Sequence, residues 1–377
     1  MGSAGGRLGC PQTYTAELLY APRNQANPML WRRAMLPGVL AASWGRRLNE
    51  TAEATVELAT VSLSRECCAL LAEVDYWAFE VRLWRDNCVV FEGPVHEVEY
   101  TTQKNPMVIR FADVSDWFNA PYGLLNRLNI QYATAAPVEV IATDMVRAVL
   151  DGLTPPDWPV MRDYLRRLPG GRRIKYRRGV VNEYVADTIA DLQQYGLTWT
   201  TNGRALIYMP KATTGNRVII ARLSDEDVFD PVTVTRDGRQ LGTVGWGSKT
   251  KNNVITRVSY GSARNYYGRH DRLTELNDED ADTDDLLAAA KSAIGGRTGP
   301  QIAVSLGPSA QLKASAPITV EQLVCGQVVL MSVTDLCRPL QARMQIVDVQ
   351  GTWVPGLEKI QVGLVQLGQV DEIEATT

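Results

Sequence analysis

Short runs in which apolar and polar residues alternate recur near both ends of this chain, and that period of two limits most of it to β-structure. Ala54, Val56 and Leu58 share one parity while Ala59, Val61 and Leu63 take the other, the one-residue slip that a β-bulge makes. Phe79, Val81 and Leu83 alternate with Glu80 and Arg82, and Asp86-Asn87 then supplies residues that tolerate a left-handed turn. Further alternating runs follow at 96–100 and 107–111. Strands of this length between turn residues predict a β-barrel or sandwich over about residues 10–118.

Near Asn119 the period changes. Pro137 suits a first helical turn, and Val138, Ile141, Met145 and Val149 recur at helical spacing up to Asp151-Gly152. Asn182 is placed as the N-cap of a second helix, with Tyr184, Val185, Thr188, Ile189 and Leu192 on one face and Gly196 as its C-terminal cap. Residues 197–200 and 205–208 read as strands about an Asn202-Gly203 hairpin turn. Alternation resumes from Asp225. Val232 and Val234 lead to Asp237-Gly238, read as another hairpin turn, and Val254, Thr256, Val258 and Tyr260 alternate. A helix over 286–294 opens on Asp284-Asp285 and ends at Gly295-Gly296, and strands follow around 328–333, 343–349 and 360–367. The expected fold is mainly β with an inserted α/β domain: β over 1–119, α/β over 120–224, and β with one helix over 225–377. No internal repeat of fixed period is visible.

Composition narrows the function. Hydrophobic residues make up 45% of the 377 and charged residues 21%, ordinary for globular chains and unlike disordered ones. Lys and Arg total 39 against 42 Asp and Glu, a net −3, whereas a chain binding nucleic acid along its whole length is strongly basic. No apolar run reaches the roughly 18 residues of a membrane helix, and Met1 to Gly9 is expected to be a flexible lead-in with no signal peptide. Cys10, Cys67, Cys68, Cys88, Cys325 and Cys337 show no zinc spacing and are expected as free thiols of a reducing cytoplasm.

Catalytic patterns are absent from the sequence. His96 shares strand parity with Val98 and Tyr100 and reads as a structural residue, and His270 lies in a polar run read as a loop. There is no H-E-x-x-H, no G-x-S-x-G and no phosphate-binding G-x-x-x-x-G-K-[ST] loop. The glycines of 242–247 are ordered wrongly for a dinucleotide fingerprint. The acidic run 277–285 lacks the Gly and Glu of an EF-hand loop and reads as solvated. No catalytic, cofactor-binding or metal-ligating residue is nominated, and no cofactor is expected.

One segment departs from the even charge balance. Arg162, Arg166, Arg167, Arg172, Arg173, Lys175, Arg177 and Arg178 are opposed within 162–178 by Asp163 alone. Residues 120–224 hold fourteen Lys and Arg against eight Asp and Glu, a net +6. Such density reads as a solvated, exposed loop or a contact with a subunit or partner, and Arg172, Arg173, Arg177 and Arg178 are the candidate contact residues. Only Tyr164 and Tyr176 accompany it, so single-stranded nucleic acid is poorly served.

Trp44-Gly45-Arg46-Arg47-Leu48-Asn49-Glu50, followed by Ala54-Thr55-Val56-Glu57-Leu58, resembles the opening of minor tail proteins from siphophages of actinobacteria. In that group a strand pair ends in an aromatic-acidic-Gly-Pro-Val turn, here Phe91-Glu92-Gly93-Pro94-Val95. The helix ending at Gly196 with its Asn202-Gly203 hairpin is similar to the central domain of tail hub proteins. Tyr267-Gly268-Arg269-His270 ahead of an Ala-rich helix, Gly299-Pro300, and the run from Gly326 to Leu330 resemble later phrases in the same order. The Arg-rich segment matches no feature of the group. The resemblance implies two tail-tube-like β-barrel domains flanking a small α/β domain, in a homotrimer ring that joins the six-fold tail tube to three-fold tip and fibre parts. It implies as partners a distal tail protein, the tape-measure protein, and tail fibre or receptor-binding tip proteins, with at most transient DNA contact in the lumen. The site would be the virion tail tip, after synthesis and assembly in the host cytoplasm. The rival readings are a tail-associated cell-wall hydrolase, for which no segment is left over, and a carbohydrate-binding tail module. Nine tryptophans permit the latter, although Trp77, Trp84 and Trp199 lie in strand patterns that predict core packing.

Overall fold

In the computed structural model, the structure describes residues 8, 13–20, 31–59, 69, 71–74, 78–100, 106–118, 124–125, 129–152, 165–179, 183–212, 217–239, 241–249, 255–259, 261–276, 283–294, 301–307, 309–335 and 338–372. Compactness divides the chain into two units. Residues 1–231, 306–334 and 343–368 make the first, and 232–305, 335–342 and 369–377 the second.

The alternating N-terminal runs form β1 (Tyr14–Tyr20), β2 (Trp31–Leu36), β3 (Val39–Arg47), β4 (Glu53–Leu58), β5 (Phe79–Arg85), β6 (Cys88–Glu99) and β7 (Met107–Ala112). They pair antiparallel in the order β2-β1-β5-β6-β7-β4-β3. The Asp86-Asn87 turn between β5 and β6 holds Asp86 at φ 51°, and its carboxylate accepts the Thr13 N–H at 3.1 Å. The slip expected after Leu58 runs from Thr60 to Leu63, outside the described residues. Phe91 to Val95 do not form the turn that the resemblance led us to expect. They run straight through β6, which pairs with β5 as far as Pro94 and with β7 from Val95 onward. A Cβ at Gly93 would sit 2.0 Å from the Ala112 carbonyl, so only glycine lets the third strand approach there.

The middle of the chain continues through a 3-10 turn (Val114–Phe118), β8 (Leu124–Leu125), β9 (Asn129–Pro137), α1 (Val138–Gly152), β10 (Leu165–Arg167), β11 (Arg173–Gly179), β12 (Glu183–Tyr184), α2 (Val185–Gln194), β13 (Leu197–Asn202), β14 (Ala205–Pro210) and β15 (Ile219–Ser224). Val138, Ile141, Met145 and Val146 of α1 and Val185, Ile189 and Leu192 of α2 bury one helical face each against Leu165, Ile174, Leu197, Leu206 and Tyr208. Each such aliphatic side chain contributes about 1.5–3 kcal/mol when taken out of water. The helix ends match their signals, with Gly196 at φ 90° after α2 and Gly203 at φ 56° in the β13–β14 hairpin. Asn182 lies outside the described residues, and the two residues before α2 pair with β8 instead of forming its first turn. The Arg-rich segment, expected as a loop, is strand, turn and strand: β10 pairs parallel with β14, and β11 antiparallel with β9.

The second unit contains β16 (Thr233–Asp237), β17 (Val244–Lys249), β18 (Ile255–Ser259), α3 (Gly261–Tyr267), β19 (Asp271–Leu276), α4 (Thr283–Ile294) and β20 (Gln301–Ser305). Asp237-Gly238 is not a hairpin turn. Gly238 lacks the positive φ that a two-residue hairpin requires, and β16 pairs with β20, far along the chain. β17 lies between β18 and β19, and α4 packs on it so closely that Cβ atoms at Gly245 and Gly247 would meet the carbonyls of Ala290 and Leu286. Helix α3 was not foreseen. Its described residues from Arg264 to Tyr267 are all exposed, so no apolar stripe marks it.

The chain ends with β21 (Ala310–Gln311), β22 (Val328–Asp335), β23 (Arg338–Val354) and β24 (Leu357–Glu372). These strands do not build a second barrel. β23 pairs with β3 from Asp348↔Arg47 to Trp353↔Ala42, β22 pairs in parallel with β15, and β24 pairs with β23 and β21. The outcome is one twelve-stranded sheet along the path β15-β22-β23-β3-β4-β7-β6-β5-β1-β2, with no closed barrel among the described residues. The reason is the length of β23: seventeen residues reach well past a local hairpin and cover the free edge of β3.

Candidate functional site

His96 Nε2 lies 2.8 Å from Asp116 Oδ2, a half-buried pair bridging β6 and the 3-10 turn. His270 is exposed and its Nε2 meets the Tyr267 carbonyl at 3.0 Å. Among the described residues no group of three His, Cys, Asp or Glu side chains is placed to hold a metal ion, and no helix is long and apolar enough to cross a membrane. Cys88 and Cys325 are free thiols, the second buried, and burial pushes its pKa up to about 12. Cys10, Cys67, Cys68 and Cys337 lie outside the described residues. Trp199 is half-buried against the helical core and Trp84 donates to Glu17 at 3.1 Å, while Trp77 lies outside the described residues.

Arginines bury themselves to fasten the first unit together. Arg46 is 1% exposed, stacks on Trp44 and donates to the carbonyls of Val320, Leu323 and Val90. Taking its guanidinium out of water pulls its pKa down to about 10. Arg85 forks onto Glu358 at 2.7 and 2.8 Å, and Tyr14, itself held by the Trp44 indole, donates to the same carboxylate at 2.8 Å. Arg204, just past the Gly203 turn, reaches Glu92 at 2.8 Å and Glu80 at 3.4 Å, and Arg82 holds the other oxygen of Glu92 at 2.6 Å. Asn49 at φ 65° exchanges bonds with Trp199 through its backbone N–H (2.8 Å) and its side-chain oxygen (2.9 Å). Asp113 accepts from the N–H groups of Ala52 and Ser115 and from Thr201. These contacts sew the β13–β14 hairpin to β3, β5 and β6. Each buried carboxylate here has cations or N–H and O–H donors on it, an arrangement that fixes structure.

The cationic segment is arranged oppositely. Arg166, Arg167, Arg172, Arg173 and Lys175 are all exposed. Arg167, Arg172 and Lys175 have no ion-pair partner among the described residues, and Arg173 donates only to the Ala135 carbonyl, at 2.8 Å. Arg177 and Arg178 lie on β11 opposite Gln131 and Ile130, with side chains outside those described, as Arg162 is altogether. The turn between the two strands is fastened from below. Leu168 N–H donates to Tyr208 at 2.9 Å, Val138 N–H to Arg172 at 3.1 Å, and Gly171 N–H to the buried carboxylate of Glu139 at 3.2 Å. Gly170 has φ 110°, and a Cβ at Gly171 would strike Glu139 at 1.9 Å. Counting charges in the sequence finds this segment. The turn beneath it, and the buried Glu139 that holds it, were missed, although a carboxylate in the first turn of a helix is a legible position.

Two open grooves also mark the first unit. One of about 310 Å³ runs over Ala41, Ser43, Thr55, Thr352, Val354 and Leu357, and another of about 400 Å³ lies between Phe118, Ile189, Trp199, Leu206 and Tyr208. Glu57 and Lys359 also line the first, and Glu50, Thr51 and Ser115 the second.

Solved structures share this fold. The chain is similar to the 43 kDa tail protein of prophage MuSo2 from Shewanella oneidensis, with a TM-score of 0.52 and 11% identity over 93% of this chain and 98% of that one. It is similar to a tail protein from Neisseria meningitidis MC58, with a TM-score of 0.52 and 9% identity over 93% and 96% of the two chains. No protein-family model matches the sequence, and no curated protein matches it. At such identities the likeness is one of fold.

Proposed function

Taking that shared tail-protein fold as the premise, we propose that the chain is a structural subunit of a phage tail tip: the hub that joins a six-fold tube to three-fold tip and fibre parts, without catalysis. The carrying observation is that the likeness spans nearly the whole of both chains, 93% of this one and 98% of the Shewanella protein. Polar groups of the sheet interior tied up in structural contacts agree with a load-carrying role. The reading has three copies in a ring, each contributing its β regions about the α/β segment 120–224. A distal tail protein would sit above, the tape-measure protein inside, and fibre or receptor-binding proteins below. Arg172, Arg173, Arg177 and Arg178 would face a neighbour. The test is the native mass of the purified protein, alone and with tail extract, joined to antibody labelling of tails by electron microscopy. A trimer, or a trimer formed on adding extract, with label at the tip is expected. A monomer in both conditions and an unlabelled tip would overturn the reading.

A further inference from the structure

Several exposed arginines elsewhere on the surface are neutralised by a carboxylate, while others, such as Arg222 and Arg264, stand singly. Arg239 pairs with Asp237 at 2.7 Å, Arg269 with Asp271 at 2.8 Å, and Arg110 with Glu97 and Glu99 at 2.8 and 2.9 Å. The strand–turn–strand over 165–175 differs in density, displaying five cations in eleven residues, at least three of them without a carboxylate among the described residues. Like charges this close repel one another, at a cost that nothing inside the fold requires. The turn that carries them is fastened by two backbone bonds and by the Glu139 carboxylate. A turn whose backbone is already fixed has less freedom left for binding to take away.

We propose that Arg166, Arg167, Arg172, Arg173 and Lys175 form a docking surface for a carboxylate-rich protein segment. This rests on the assembly role above and names the chemistry of one partner. Four of the five are arginines, whose planar forks match carboxylates in pairs. A single-stranded nucleic acid would want exposed aromatic rings between the cations, yet Tyr176 is buried with its hydroxyl on Asp191. A duplex would extend beyond so short a patch onto a chain whose total charge is −3. A short acidic peptide stretch fits within it.

The experiment uses the full chain and a fluorescein-labelled oligoglutamate, with a labelled short DNA duplex in parallel. Fluorescence anisotropy is read at about 50 mM and about 500 mM salt, where the screening lengths differ severalfold. The peptide should bind at low salt, weaken by roughly tenfold or more at high salt, and lose roughly tenfold in Arg172→Glu/Arg173→Glu. Arg172→Gln/Arg173→Gln should give an intermediate loss with an unchanged melting temperature, which separates the contact from a folding defect. Peptide binding that ignores both double variants overturns the proposal. So does a duplex that binds more tightly than the peptide with the same dependence on these arginines. Aggregation of the glutamine variant with unchanged peptide affinity would also overturn it, showing that the charges merely guard the edges of β10 and β11. None of these outcomes depends on the trimer mass, so either reading can fail alone.

Discussion

Arg204 and Arg172 stand on neighbouring parts of one small core, since β10 pairs with β14 directly after the turn that carries Arg204. Arg204 is 5% exposed and grips two carboxylates of β5 and β6, while Arg172 is exposed with no ionic partner among the described residues. The same side chain thus does two physical jobs. Buried among carboxylates it locks strands together, because removing it leaves charges without water or partner. Displayed unpaired, it adds nothing to the fold and is available to something outside it.

That contrast can be broken in order of expected size. Arg204→Ala should destabilise the chain by about 3 kcal/mol in chemical denaturation, because Glu80 and Glu92 stay buried after losing the cation that joins them. A loss under about 1 kcal/mol would mean that the ion cluster is not what fastens the hairpin. Gly171→Ala should cost about 1–3 kcal/mol by driving a methyl into the Glu139 carboxylate. If its melting curve matches the wild type, the turn is not pinned and the fixed backbone argued for it is lost. Asn49→Ala should cost about 1–2 kcal/mol, since the Trp199 N–H then lacks its acceptor. Hydrogen exchange at Trp199 is the direct readout, and unchanged protection there would remove Asn49 from the fastening. Arg172→Ala and Arg173→Ala should each stay within about 0.5 kcal/mol of wild type, as surface positions do. A larger loss would erase the difference between the two arginine classes.

Local structure was legible because it is written in neighbouring residues. The Asp86-Asn87 and Asn202-Gly203 turns, both central helices and most strands lie where their periods and caps point. Partner choice was not legible. Nothing in the alternation of β3 says that Arg47 meets Asp348 of β23, and so two barrels were expected where one twelve-stranded sheet forms, unclosed among the described residues. The buried arginines were also passed over, because charge is read as surface by default. Parity could have found two of them: Arg46 follows buried Ala42 and Trp44, and Arg85 follows buried Val81 and Leu83, each in step with its strand's inner face. The cationic segment was found by counting, but its order came from Glu139, which no local pattern links to residue 171.

The bond between Tyr14 and Glu358 spans 344 residues. A ribosome adding about 5–20 residues per second needs roughly 17–70 seconds to deliver the second partner after the first. Throughout that interval the outer edge of β3 lacks β23, and Tyr14 and Arg85 lack the Glu358 carboxylate. Contacts this distant in sequence also slow folding once synthesis ends, since the ends must be brought together before any of their bonds form. Slow translation would lengthen the exposure of the sheet's first strands, and a chaperone that shelters them would raise the yield, because the residues made first are among the last to be covered.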